Sequence, residues 1–245
     1  MKKKILCMFI GLMLMAPFVF SEGVGFSAQV SPVGFMNFNV WTKYDKDTIA
    51  HASTEVRKIF KDYDKFFHDG YNMYALGADL RISSAYLTLN VGLPRQITID
   101  DIKNFGGTLN NNSFIFNGQL GCGGTFFKDS PINLFVGGGV GFDVIETTRD
   151  IPAGILDAAS WAEDRLIALL GLGLNVGVSF YFLPHVGVFA GVTDNLSFIQ
   201  ISNQRYYTNA NASIYFKNGA KDIKKMTSGL LANNFTARLG IAFKL

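Results

Sequence analysis

Apolar residues recur at every second position over one segment after another, and this period of two constrains the fold more than any other feature of the chain. In residues 85–93, Leu87, Leu89, Val91 and Leu93 share one phase, while Tyr86, Thr88, Asn90 and Gly92 occupy the other. Residues 164–182 place Leu166, Leu170, Leu174, Val178 and Phe182 in one phase and Gly171, Gly173, Asn175, Gly177 and Ser179 in the opposite one. Residues 132–144 set Ile132, Leu134, Val136, Val140 and Phe142 against Asn133, Gly137, Gly139, Gly141 and Asp143. A period of two marks a strand whose faces meet different surroundings. Apolar faces this long, on so many strands, exceed what a soluble sandwich carries. In lipid a sheet has to close, because an open edge leaves backbone groups without partners.

Eight such strands are expected, over residues 23–38, 71–82, 85–95, 113–127, 132–146, 165–182, 185–200 and 234–245. The connections alternate in length. Ser83-Ser84, Lys128–Pro131 and Leu183-Pro184 are short, whereas 39–70, 96–112, 147–164 and 201–233 are long. Short turns at one end and long loops at the other are the pattern of outer-membrane barrels. The expected fold is therefore all-β: an eight-stranded antiparallel up-and-down transmembrane barrel with long external loops and one or two short loop helices. Pro32 and Gly34 break the phase of the first strand and predict a bulge there.

The first residues read as a segment to be removed. Lys2, Lys3 and Lys4 precede an apolar run from Ile5 to Phe20, and small Ser21 follows, which is the layout of a secretory signal cleaved after residue 21. Residues 22–245 then form the barrel. Removing three lysines lowers Lys+Arg from 22 to 19, equal to the 19 Asp+Glu, so the basic balance belongs to the signal and implies no nucleic-acid partner. Only Cys122 remains after residue 21, which excludes an internal disulfide and a cysteine metal site.

The last residues carry a second pattern. Arg238, Gly240, Phe243 and Leu245 are similar to the terminal insertion signal read by the barrel-assembly machinery, with Leu at the last position where Phe is commoner. That likeness implies assembly partners, including periplasmic chaperones. Aromatic girdles are expected at both membrane boundaries. Phe126, Phe127, Phe180, Phe182 and Phe243 fall at the periplasmic ends; Tyr71, Tyr74, Phe114, Phe116 and Phe235 fall at the external ends.

Eight strands enclose an interior filled by side chains or by one small ligand, which argues against a general aqueous porin. Asp79, Arg81, Gln119, Asp143, Arg165 and Arg238 are read as a polar plug, with Asp143 and Arg165 placed to pair near one rim. Gln29, Asn90, Asn117, Asn175 and Lys244 are read as facing inward too. Near the external mouth, Met73, Ile115, Ile167 and Leu169 form an apolar inward set, either as a solute lining or as ordinary packing. The strand count, the loop alternation, this oily upper lumen and the opening Gly25–Pro32 resemble the OmpW/OmpX-type families of small outer-membrane barrels. The resemblance implies that small hydrophobic molecules enter the lumen and leave sideways through the wall. The competing readings are a plugged barrel whose external loops contact host or other ligands and, third, a lipid-modifying barrel enzyme, which would require His and Ser to converge near the outer leaflet.

In the first long loop, Val56, Ile59, Phe60, Tyr63, Phe66 and Phe67 recur at helical spacing behind Ser53, as a lid, a membrane-surface helix or a packing helix. Residues 152–163 are read as a second short helix, and Tyr206-Tyr207 with Ile214–Phe216 as a hairpin. Lys221, Lys224 and Lys225 would face anionic headgroups, a polyanion or solvent. No catalytic role is expected. His51, Ser53 and Glu55 are adjacent in a loop without triad geometry, and His51, His68 and His185 are too scattered for a metal. The runs Gly121–Gly124 and Gly137–Gly141 open no helix and lack the Lys-Ser/Thr of a phosphate loop, so no cofactor is expected. Inward glycines instead make room for large side chains from across the barrel.

Overall fold

In the computed structural model, residues 25–41, 71–93, 110–151, 161–208 and 223–245 are described. The alternating segments form β1 (Phe26–Val40), β2 (Tyr71–Ile82), β3 (Ala85–Gly92), β4 (Asn110–Phe126), β5 (Ile132–Ile151), β6 (Trp161–Tyr181), β7 (Val186–Thr208) and β8 (Ile223–Lys244). Each strand pairs antiparallel with the next, and β8 returns to β1. The barrel is closed, with no edge inside the wall.

The register fixes its shape. A step across the ladders from Ile82 passes through Ala85, Cys122, Gly138, Leu174, Asp194, Phe235 and Asn37, and returns to β2 at Asn72, a stagger of ten residues (82 − 72). With about 3.3 Å per residue and about 4.8 Å between strands, that stagger tilts the strands by about 41° and gives a rise of about 2.5 Å per residue. A tilt in this range is what small membrane barrels adopt.

The bulge expected in β1 is present, where the register shifts between Ser31 and Gly34 against β2 and between Val30 and Val33 against β8. The turns after β2 and β4 each hold a residue with left-handed backbone, Ser83 at φ 56° and Phe127 at φ 60°. Several strands run longer than the alternation predicts. β5 continues to Ile151, β6 begins at Trp161, β7 reaches Thr208 and β8 starts at Ile223. Trp161–Glu163 thus open a strand rather than end a helix, Tyr206 and Tyr207 lie in β7, and Lys224 and Lys225 lie in β8. Backbone pairing between neighbouring strands continues past the apolar band, so hydrophobic alternation alone underestimates strand length. The amphipathic segment 53–67, the hairpin residues 214–216, Lys221, His51, His68 and the signal segment 1–21 lie outside the described residues.

The two phases separate as expected. Outward residues include exposed Val30, Leu80, Leu120, Val140, Leu174, Val188 and Leu239, while the inward phase holds nearly all the buried polar side chains. Among the described residues no helix is long and apolar enough to cross a membrane, so a span here is a matter for the strands. An apolar exterior around a polar interior is the architecture of an outer-membrane barrel.

Candidate functional site

The lumen is built in three layers, and strand parity dictates each. At the end that carries the short turns, β2 contributes Asp79 and Arg81, and β8 contributes Arg238. Arg238 holds Asp79 through two parallel bonds, Nη1 donating to Oδ1 at 2.6 Å and Nη2 to Oδ2 at 3.2 Å, with both side chains fully buried. Arg81 donates to Asp79 at 3.2 Å and to Gln29 at 2.8 Å, and Thr88 donates to Asp79 at 2.6 Å. One carboxylate therefore serves two guanidiniums. The excess cation rests against aromatic faces: Arg81 lies 3.8 Å above the Phe135 ring, and Arg238 lies 5.4 Å from that of Phe189. Cation–ring contacts strengthen where water is excluded. Lys244, at the mouth on the short-turn side, places its ammonium 4.3 Å from the Tyr181 ring.

The middle layer is a carboxamide network around Asp143. Asn117, Asn234 and Asn195 donate to its Oδ1 at 2.7, 2.9 and 3.3 Å, and Ser197 donates to Oδ2 at 3.2 Å. Asn90 bridges Asn117 at 2.8 Å and Thr193 at 3.4 Å, and Gln119 donates to Asn195 at 2.7 Å. Downward, Asn175 donates to Thr88 at 2.7 Å and so reaches the charged cluster. The expected pairing of Asp143 with Arg165 is corrected by the register, which sets Arg165 opposite Thr147 and Asp143 opposite Leu169. The two residues are four positions apart along the ladder, too far for the side-by-side contact that pairs cross-strand neighbours.

The layer at the end that carries the long connections is apolar. Met73, Ile115, Ile167 and Leu169 are all buried there, packed with Met36, Phe38, Ile145 and Leu231. Tyr71 joins them. The girdle expectation places it on the outer wall with Tyr74, but the two differ by an odd number of residues and face opposite ways: Tyr71 is 0% exposed and Tyr74 75%. Of the other girdle residues, Phe114, Phe126, Phe127, Phe180, Phe182, Phe235 and Phe243 are exposed on the outer wall, and Phe116 is half-buried against Phe142 at 5.8 Å.

Glycines on β4, β5 and β6 receive these side chains. A Cβ at Gly137 would lie 2.8 Å from the Tyr86 ring and 2.9 Å from that of Phe135, and one at Gly173 would lie 2.8 Å from Gln119. Gly137→Val should therefore cost about 1–3 kcal/mol through overpacking, measured as a lower urea midpoint of the refolded barrel. An unchanged midpoint would mean that the rings move freely.

Sequence reasoning missed Asn195, Asn234, Thr193 and Ser197, all buried in the network. Their signal was readable in the alternation of Thr193, Asn195 and Ser197 with Val192, Asp194 and Leu196. The inward aromatics Tyr86, Phe135 and Phe189 were hidden, because a ring in the polar phase makes sense only once the arginines facing it are known. Of the terminal pattern, Arg238 points into the lumen while Phe243 and Leu245 stay on the outer face; a Cβ at Gly240 would run into the Val30 carbonyl beside the bulge. His185 sits in a turn with Nδ1 2.9 Å from the Lys244 carbonyl, and Cys122 is free. Among the described residues no group of His, Cys, Asp and Glu is placed to hold a metal ion.

Similar layouts occur in solved structures. Neisserial surface protein A is 10% identical, with 91% of this chain and 100% of that one covered at a TM-score of 0.42. The values for a major outer membrane protein from Thermus thermophilus are 12%, 91%, 100% and 0.46. For Ail, the attachment invasion locus protein of Yersinia pestis, they are 10%, 91%, 100% and 0.38. None of the curated proteins compared with the chain matches it. Residues 85–245, from the start of β3 through the closing strand, match the model of the family described as a domain of unknown function, and this chain belongs to that family, DUF2715.

Proposed function

We propose that this protein is a closed, non-catalytic barrel of the bacterial outer membrane that holds long loops at the cell surface. The observation that carries the reading is the filled lumen. A hydrogen-bonded polar network occupies its lower and middle parts, and buried Met36, Phe38, Met73, Ile115, Ile145, Ile167 and Leu169 close the external part. Contiguous packing among the described residues supports a lumen without an aqueous path, and apolar side chains at the mouth would add a desolvation barrier to any ion.

Planar-bilayer recordings on the refolded barrel test the proposal, with folding confirmed by heat-modifiable migration. A silent bilayer is expected. Discrete openings that small apolar solutes block would overturn it and favour the hydrophobic-molecule conduit, with Met73, Ile115, Ile167 and Leu169 as its lining. Orientation is tested separately by a short epitope inserted within 42–70 or 209–222, which should be labelled on intact cells. Labelling only after the outer membrane is opened would reverse the assignment of the loops.

A further inference from the structure

The outer wall carries a second feature that a lipid-facing surface does not require. A groove of about 540 Å³ runs across β2, β1, β8, β7 and β6, walled by Phe35, Tyr74, Val176, Val192 and Leu239, with small Ala190 and Ala237 in its floor. Its volume falls within the roughly 300–1,000 Å³ of pockets that enclose a small ligand. Its lining is entirely apolar at the surface, apart from the buried Arg238 behind the wall.

Toward the long connections, the outward residues that follow the groove on β2, β1 and β7 are polar, while β8 presents exposed Phe235 first and β7 returns to exposed Ile201 farther on. The next outward residue beyond Tyr74 is Asn72, beyond Phe35 is Asn37, and beyond Val192 is Asp194. Asn39 and Asn233, register partners on β1 and β8, complete this collar. Asn37 donates to Asn72 at 2.6 Å, Asn39 to Asn37 at 3.0 Å, and Asn233 to Asp194 at 2.6 Å. At about 2.5 Å of rise per residue, the collar begins about 5 Å above the groove-lining residues it follows. On β6 the outward phase stays apolar instead, from Val176 to Leu174 and Leu170. The polar positions thus lie on four of the five groove strands, in two hydrogen-bonded groups on either side of exposed Phe235, which is the register partner of both Asn37 and Asp194.

We propose that this face binds one bilayer lipid of the external leaflet, with an acyl chain in the groove and a headgroup bearing an ammonium or hydroxyl donor at the collar. The membrane supplies acyl chains to any apolar concavity within its hydrocarbon. The collar selects among headgroups by chemistry, because it offers carboxamides and a single charge, the carboxylate of Asp194. A donor-bearing, non-anionic headgroup gains hydrogen bonds there, whereas an anionic one meets like charge. The proposal rests on the barrel spanning a membrane and is independent of whether the lumen conducts.

The test uses the full mature chain, reconstituted into bilayers of equal phosphatidylethanolamine and phosphatidylglycerol, released into mild detergent and weighed by native mass spectrometry. One phosphatidylethanolamine should be retained in preference. Ala237→Leu, which fills the groove from the lipid side, should reduce retention at least tenfold. Asp194→Asn should keep a lipid bound but abolish the preference between headgroups. Heat-modifiable migration confirms that each variant is folded, and Ala190→Leu serves if Ala237→Leu is not. Absence of a retained lipid, preference for phosphatidylglycerol, equal retention by the groove-filled variant, or a doubled protein mass from a second copy on this face would each overturn the proposal.

Discussion

Asp79→Ala should lower the stability of the barrel by about 3–5 kcal/mol, the loss expected when one partner of a buried ion pair is removed. The expected loss is at the upper end for a physical reason. Asp79 is the carboxylate shared by two buried guanidiniums, and its removal leaves both Arg81 and Arg238 buried without a carboxylate partner. Arg81 would keep its bond to Gln29 and its place on the Phe135 ring, but Arg238 would keep only a distant aromatic face. Urea titration of the refolded protein, followed by heat-modifiable migration, gives the number. The double variant Asp79→Ala/Arg238→Met should recover part of the loss, since it removes one of the two stranded guanidiniums and leaves Arg81 with Gln29 and the Phe135 ring. A single-variant effect under about 1 kcal/mol would show that water reaches the cluster.

Replacing Phe243 and Leu245 together with alanine should give the opposite separation: normal stability in vitro and near-complete failure of assembly in cells. Both side chains lie on the outer wall, at 42% and 85% exposure, and neither packs into the lumen. Their truncation removes little that holds the closed barrel together, so the refolded variant should keep the wild-type urea midpoint within about 0.5 kcal/mol. Any loss of membrane-inserted protein then reports recognition by the assembly machinery. Equal amounts of wild-type and variant barrel in the outer membrane would remove the terminal pattern from the account.

Much of this fold was legible because its governing variable, the phase of alternation, is local. Leu87, Leu89 and Val91, or Leu170, Leu174 and Val178, declare their face from their own neighbours, and strand number and closure follow from counting. The bulge at Pro32–Gly34 was readable for the same reason. The strand ends beside the long connections were not, because residues such as Thr147–Asp150 and Asp164 pair by backbone bonds where neither face is apolar. The site was legible by membership and illegible by partnership. Asp79, Arg81, Gln119, Asp143 and Arg238 could be sent inward one at a time, yet which amide meets which carboxylate depends on the ten-residue stagger, a global quantity. Tyr71 shows a different failure, since composition suggested a girdle where parity alone gave the correct face.

The bond between Arg238 and Asp79 joins residues 159 positions apart. It passes behind β1, from β8 to β2. In any sheet that is formed but not yet sealed, Arg238 and Asp79 are far apart; Asp79 has Arg81 beside it on its own strand, while the charge of Arg238 awaits its partner. Long-range closure is entropically slow to begin. Here it is also rewarded late, when the two ends of the chain meet and the opposite charges find each other in the dry interior. A half-made barrel therefore has little to stabilise it, and folding of the wall should behave as one cooperative event in which the final ladder and the central ion pair form together.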